Sequence, residues 1–280
     1  MRLAISNIAW DVAEDEAVAQ LLQRHAVDAI DIAPGKYFPE PENASEDAIA
    51  RVRAWWRERG IEITGMQALL FGASGLNVFG DAASQDAMLR RLDAVCRIAA
   101  GLDSPRLVFG SPKARDRSGL DDAAADAMAV DFFGRLGDVA GAHSVLICLE
   151  PNPASYGCNF MTHSAQAARI VEQVNHRSIR MQLDTGAVAM NGEDPAQVIG
   201  DYAGLIGHIH ASEPDLATLG DRGAPHDVIG ALVNTHLPAH LVTIEMLASN
   251  TEPHLAAIER ALGVATRYYR NQQPPATASA

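Results

Sequence analysis

Four short apolar runs in the second half of the sequence each stop on an ionisable residue. Residues 145–150 read VLICLE and are stopped by Pro151; MQLD closes on Asp184, HIH on His210 and VTIE on Glu245. Short apolar runs bounded by turn-forming residues suit the strands of a parallel sheet buried on both faces. A charge at the end of such a run is costly unless something satisfies it. Two Glu, one Asp and one His at successive strand ends therefore constrain the fold more than any other feature of the chain.

The whole sequence repeats this alternation. Strands are predicted at residues 3–10, 27–32, 61–70, 106–109, 145–150, 179–184, 205–210 and 241–245. Helical patterns fill the intervals. One follows residues 14–25, with Ala17, Leu21 and Leu22 on one face. Another starts at the cap Ser45, with Glu46 and Asp47 in the first turn where the helix dipole favours acids. A third carries the stripe Met88, Leu92, Val95, Cys96 and Ala99. Further helices are expected over 121–140, along Ala167, Ile170, Val171 and Val174, from Asp194-Pro195 where proline suits a first turn, near 227–234, and over 252–269. Eight strands and eight helices in strict order predict an α/β fold, a single (β/α)₈ barrel over 1–270. A doubly wound open sheet is the alternative, but no GxGxxG follows the first strand. The polar, Pro/Ala-rich tail 271–280 is expected to be disordered.

Composition narrows the function classes. At 48% hydrophobic and 20% charged, the chain reads as an ordinary globular protein. A net charge of −13 opposes a duplex-binding surface. No apolar run approaches the ~20 residues that a membrane span needs, and the opening MRLAISNIAW is broken too soon for a signal peptide, so a cytoplasmic protein is expected. Three cysteines, Cys96, Cys148 and Cys158, with no CxxC, argue against a disulfide scaffold or zinc ribbon.

In a (β/α)₈ barrel the active site lies at the C-terminal strand ends. Glu150, Asp184, His210 and Glu245 would then share half of the barrel mouth. Three carboxylates and one imidazole suit one divalent ion such as Mn²⁺, with Mg²⁺ or Co²⁺ as alternatives. The motifs LEPNP, QLDTG, HIHASE and VTIEM, in this order and spacing, resemble those of the sugar-phosphate isomerase/epimerase group, the xylose-isomerase-like barrels. The resemblance runs from the first strand to the last helix. It implies a metal-dependent isomerase or epimerase on a sugar or sugar phosphate, acting through a metal-stabilised enediolate. It also implies that Glu150 and Glu245 both ligate the metal and carry protons, with Asp184 and His210 as plain ligands. Many members place a His three residues after the strand-six Asp; here that residue is Ala187, which motivates a lyase or dehydratase on a keto-polyol or sugar conjugate as the alternative. A non-catalytic sugar-binding barrel is a third reading. An endonuclease of the same fold would need extra His ligands, whereas Gln67, Phe109 and Gly110 stand near the third and fourth strand ends.

Other residues carry weaker signals. Glu213 and His226 flank the loop after strand seven and could meet substrate hydroxyls, or simply lie in a solvated loop. Asn152 and Asn159 could donate to sugar oxygens or form turns. Lys36, Lys113, Arg115 and Arg222 are the cations that a phosphorylated substrate would want. Trp10 and Phe71 could wall a sugar or pack in the core. His208 and Cys148 read as interior, and Cys158 as exposed near the mouth. The expected partner is a small sugar, with neither nucleic acid nor membrane; a homo-oligomer is left open.

Overall fold

A computed structural model describes residues 1–270; the expected disorder of 271–280 falls outside the described residues. Eight parallel strands close into a barrel in sequence order. They are β1 (Arg2–Ser6), β2 (Ala29–Ile32), β3 (Glu62–Met66), β4 (Arg106–Phe109), β5 (Leu146–Leu149), β6 (Ile179–Asp184), β7 (Ile206–Ser212) and β8 (Leu241–Glu245). β8 pairs with β1 in parallel, Leu3 opposite Val242, which completes the ring. The expected fold class holds.

Nine α-helices among the described residues form the outer layer: α1 (Asp15–Arg24), α2 (Glu46–Arg57), α3 (Ala82–Leu102), α4 (Asp122–Ala142), α5 (Ser164–Val174), α6 (Thr185–Asn191), α7 (Pro195–Tyr202), α8 (His226–His236) and α9 (His254–Tyr268). Side-chain caps start several of them. Ser45 accepts from the Ala48 N–H, Asp81 from Ser84, Asp121 from Ala124 and Asp194 from Ala196. Each cap satisfies one N–H that a helix start would otherwise leave unpaired. The inward stripes, such as Met88, Leu92, Val95 and Cys96 on α3, are fully buried against the strands. None of the described helices is long and apolar enough to cross a membrane.

The sequence expectations differ from the structure mainly at strand ends. β1 stops at Ser6, because Ser6 Oγ accepts from the Ile8 N–H and Asn7 Oδ1 from the Ala33 N–H, turning residues 7–9 into a 3₁₀ turn. β3 stops at Met66, since Ala68 takes a left-handed φ of 53°. β7 runs on to Ser212, whose N–H donates to Thr185 Oγ1 and which pairs with Glu245. The ninth helix, α6, was not expected; the Asp184 carboxylate caps it by accepting from the Ala187 N–H at 2.6 Å.

The barrel interior carries a polar layer where many such barrels stack branched aliphatics. Asp31, Gln182, His208 and Thr243 are each at most 2% exposed. Asp31 Oδ2 accepts from His208 Nε2 and from Thr243 Oγ1, both at 2.8 Å, and Oδ1 accepts from Thr64 Oγ1. Gly65 makes room for this carboxylate: a Cβ there would lie 2.6 Å from it. Gly65→Ala is therefore expected to lower stability by about 1–3 kcal/mol through overpacking, seen as a melting temperature lower by roughly 2–4 °C per kcal/mol. An unchanged melting temperature would mean that Asp31 can give way freely.

Candidate functional site

β5 to β8 bring Glu150, Asp184, His210 and Glu245 to one point at the barrel mouth. Glu150 follows β5 directly, Asp184 and Glu245 close their strands, and His210 lies opposite Asp184 in the β6–β7 register. His210 Nδ1 stands 3.5 Å from Glu150 Oε1, 3.9 Å from Asp184 Oδ2 and 3.2 Å from Glu245 Oε2. One ligand atom from each of the four lies within 4.8 Å of the others. All four residues are buried, His210 completely and the carboxylates with under a tenth of their surface exposed.

This donor set fits a divalent cation. Glu150 Oε1 is buried without any hydrogen-bond partner, which is rare for such a group unless something else satisfies it. A first-row ion with ligands at ~2.1 Å spaces those ligands by roughly 3–4 Å, close to the separations about His210 Nδ1. The protonation pattern of the unliganded cluster is strained in the same sense. Burial, and then the Glu245 and Glu150 charges, hold the Asp184 carboxyl well above the usual carboxylate range. Burial works against a charged His210, but Glu245 and Glu150 outweigh it and raise the imidazole well above its ordinary value. Burial also opposes the Glu245 charge, yet His210 and hydrogen bonds from His210, Asp184 and Gln67 keep this carboxyl low. The tighter hold of Asp184 on a proton and of His210 on its charge both act against the mutual repulsion of the carboxylates.

Several residues aim the cluster. Gln67 Nε2 donates to Glu245 Oε1 at 2.6 Å from the end of β3. Asn152 Nδ2 donates to Glu150 Oε2 at 2.8 Å, and Ser212 Oγ to Asp184 Oδ2 at 2.7 Å. Arg115, with none of its surface exposed, donates from Nη1 to the Glu150 carbonyl at 2.6 Å and from Nη2 to Asn152 Oδ1 at 2.5 Å. Gly110 lets Glu150 approach, since a Cβ there would collide with Glu150 Oε2. Beneath them, the network fixes the Gln182 amide with its nitrogen toward His208 Nδ1 and its oxygen accepting from the His210 N–H at 3.2 Å. His208 is then a neutral imidazole donating to Asp31; burial lowers its pKa, as interior placement predicts.

A cavity of about 550 Å³ opens above the four residues, with Gln67, Glu150, Asn152, Asp184 and Glu245 in its floor. Of the secondary candidates, Asn152 lines it and so does Phe71, which is 78% exposed. Trp10 does not; it is fully buried, bonded to Asp15 Oδ1 and edge-on to Trp56.

Glu213 and His226 correct the expectation of substrate contact. They are a buried pair, His226 Nε2 to Glu213 Oε1 at 3.0 Å, and neither lines the cavity. Glu213 accepts from the Gly220 and Ala224 N–H groups, and His226 Nδ1 meets the Tyr269 hydroxyl at 2.7 Å, so the pair braces the loop after β7. Lys113 and Arg222 are exposed and do not line the cavity. Lys36 is spent on the Asn7 and Trp10 carbonyls. Asn159 serves the Asp116–Arg117 turn. Cys158 is buried, not exposed, because its thiol donates to the Phe160 carbonyl.

Gln67 and Arg115 lacked a sequence signal as positioning groups, since each acts on a partner far along the chain. Only the rule that every strand end faces one mouth could have singled out Gln67. Arg115→Met would strand the Glu150 carbonyl and Asn152 Oδ1, and is expected to cost about 1–3 kcal/mol; a thermal melt indistinguishable from the parent chain would contradict this brace.

Residues 19–261 match the family described as the xylose isomerase-like TIM barrel. No curated protein matches. Among solved structures, a D-psicose 3-epimerase studied in the presence of D-fructose superposes with a TM-score of 0.80 at 17% identity, covering 97% of this chain and 100% of that one. The probable 3-DHS dehydratase AsbF from Bacillus anthracis gives 0.74 at 14% identity, covering 97% and 100%. The IOLI protein, with a bound zinc atom, gives 0.74 at 17%, again covering 97% and 100%. At such identities these likenesses speak for the fold, and the match over 19–261 settles the rest: the chain belongs to the xylose isomerase-like TIM barrel family.

Proposed function

We propose that this protein is a divalent-metal-dependent isomerase or epimerase acting on a sugar, with Glu150, Asp184, His210 and Glu245 as the metal ligands. The observation that carries the reading is the convergence of these four buried side chains within 4.8 Å. The family supports it, as does the D-psicose 3-epimerase among its structural neighbours. The ion would supply Lewis-acid stabilisation of the negative charge that develops on a substrate carbonyl oxygen and the adjacent hydroxyl. Mn²⁺ suits the oxygen-rich set best, with Mg²⁺ or Co²⁺ as alternatives.

The proton chemistry belongs to the protein. Glu150 and Glu245 come from strands separated by β6 and β7, so the two carboxylates flank the site from opposite ends of the cluster. One takes the proton from the carbon beside the carbonyl while the electron pair moves into the C=O. The other returns a proton to the opposite face, giving the epimer. Return to the neighbouring carbon gives the aldose–ketose isomer instead. Gln67 and Asn152 hold the two carboxylates by their second oxygens, keeping each in one rotamer. A second reading, a lyase or dehydratase on the same centre, rests on Ala187, which lines the cavity where many family members carry a His.

The test is exchange of solvent deuterium into a panel of free ketoses in D₂O with Mn²⁺, followed by NMR. Exchange at the carbon next to the carbonyl is expected, and Glu150→Gln or Glu245→Gln should each slow it by about 10²–10⁴-fold. Exchange surviving both substitutions would refute the role assignment; loss of water or of an aglycone would move the reading to the lyase.

Metal binding has its own pH signature. Asp184 and His210 hold protons more tightly than usual in the unliganded protein, and a ligand must shed its proton to bind. Calorimetric titration with Mn²⁺ is therefore expected to show affinity rising from pH 6 to 8 with proton release, and to show no such binding in Asp184→Asn. Affinity flat across that range would contradict the protonation pattern.

A further inference from the structure

The cavity is divided in character. Its floor holds the three carboxylates Glu150, Asp184 and Glu245 with Gln67 and Asn152, while much of its wall and rim is apolar, including Ile8, Phe71, Leu216 and Leu247. Phe71 and Leu247 are 78% and 52% exposed, two of the few large apolar side chains left open to solvent among the described residues. Neither Lys nor Arg lines the cavity among the described residues, and the charged groups that do are all acidic: Glu150, Asp184, Asp215 and Glu245.

Backbone geometry singles out the same wall. Ala68, Ser111, Asp215 and Leu216 line the cavity and have positive φ, 53°, 28°, 60° and 52°. An unstrained chain would place glycine at such positions. Leucine at a left-handed position keeps a large apolar side chain on the cavity wall at a conformational cost, which glycine would avoid. Size agrees with this. A hexose fills roughly 200 Å³, scaled from the ~30 Å³ of a liquid water, whereas the cavity holds about 550 Å³. A bare polyol pressed against the remaining wall would leave its hydroxyls without partners, which is unfavourable.

We propose that the substrate is an uncharged keto sugar or keto-polyol carrying an apolar, aromatic-sized substituent. Its α-hydroxy-carbonyl end sits on the floor at Glu150 and Glu245, and the substituent packs between Phe71, Leu247, Leu216 and Ile8. The proposal rests on the metal-dependent reading of the floor. It narrows that reading by excluding a phosphorylated sugar, since the metal's charge is already taken up by its carboxylate ligands and the lining, among the described residues, presents neither Lys nor Arg to a phosphate.

Three probes of one chemistry test it on the Mn²⁺-loaded full chain: D-fructose, D-fructose 6-phosphate and 6-O-benzyl-D-fructose, each titrated calorimetrically. The benzyl ether is expected to bind at least tenfold tighter than fructose, and the phosphate more weakly than fructose. The exposed-residue double variant Phe71→Ser/Leu247→Ser should lose the benzyl preference while keeping its Mn²⁺ affinity, and Phe71→Leu/Leu247→Met should restore most of it. Equal binding of benzyl ether and fructose, or tighter binding of the phosphate, would overturn the proposal while leaving the metal reading intact. A benzyl preference that survives the double variant, or the variant changing oligomeric state without changing that preference, would also overturn it, by assigning Phe71 and Leu247 to a protein contact. Failure of Mn²⁺ to bind at all would instead remove the reading beneath.

Discussion

Three carboxylates and an imidazole held within a few ångströms, out of water, set the terms for the rest of this barrel. Such a cluster is not self-sufficient. Like charges at this spacing raise one another's pKa, and burial adds to the effect; Asp184 shows both. Even with His210 charged in response, Glu150 Oε1 remains buried and unpaired. A divalent cation is the simplest occupant that would satisfy all three carboxylates and the imidazole Nδ1 at once, and the proposed chemistry depends on it.

Much of the surrounding structure can be understood as support for that arrangement. The second oxygens of Glu245 and Glu150 are held by Gln67 and Asn152, and Ser212 donates to Asp184 Oδ2, the oxygen that faces His210. Asp184 also accepts from the N-terminus of α6 through the Ala187 N–H. Arg115 fixes the backbone carbonyl of Glu150 and the amide of Asn152 together. The lower layer, Asp31–His208–Gln182, reaches the His210 backbone. Polar networks of this kind rigidify a site to the extent that their members are satisfied, and here Glu150 Oε1 is left open for an occupant. The glycines at 65 and 110 are small for the same reason, each giving up its side chain to a carboxylate.

The parts of this account visible in the sequence are those written locally. Strand–helix alternation, the cap Ser45, the helix starts at Asp121 and Asp194, and four ionisable residues at strand ends are short-range patterns, and the barrel follows from them. β4, β6 and β8 have the bounds that the apolar runs indicate. The ends of β1, β3 and β7 do not, because Asn7, Ala68 and Ser212 take their conformations from partners distant in sequence or from a left-handed turn. The same limit hid the roles of Gln67 and Arg115, whose partners stand 178 and 35 residues away. Glu213 and His226 show the opposite error: chemically suggestive types in a mouth loop, yet used to brace that loop from inside. Residue type and position at a strand end were informative together; type in a loop pointed to the cavity at Asn152 and away from it at Glu213 and His226.

The central claim is that one cation is gripped by four named side chains. A crystal grown with Mn²⁺ and measured at the manganese absorption edge addresses it most directly. A single anomalous peak about 2.0–2.3 Å from one atom each of Glu150, Asp184, His210 and Glu245 is expected. A peak elsewhere, or a site engaging no more than two of the four, would contradict it.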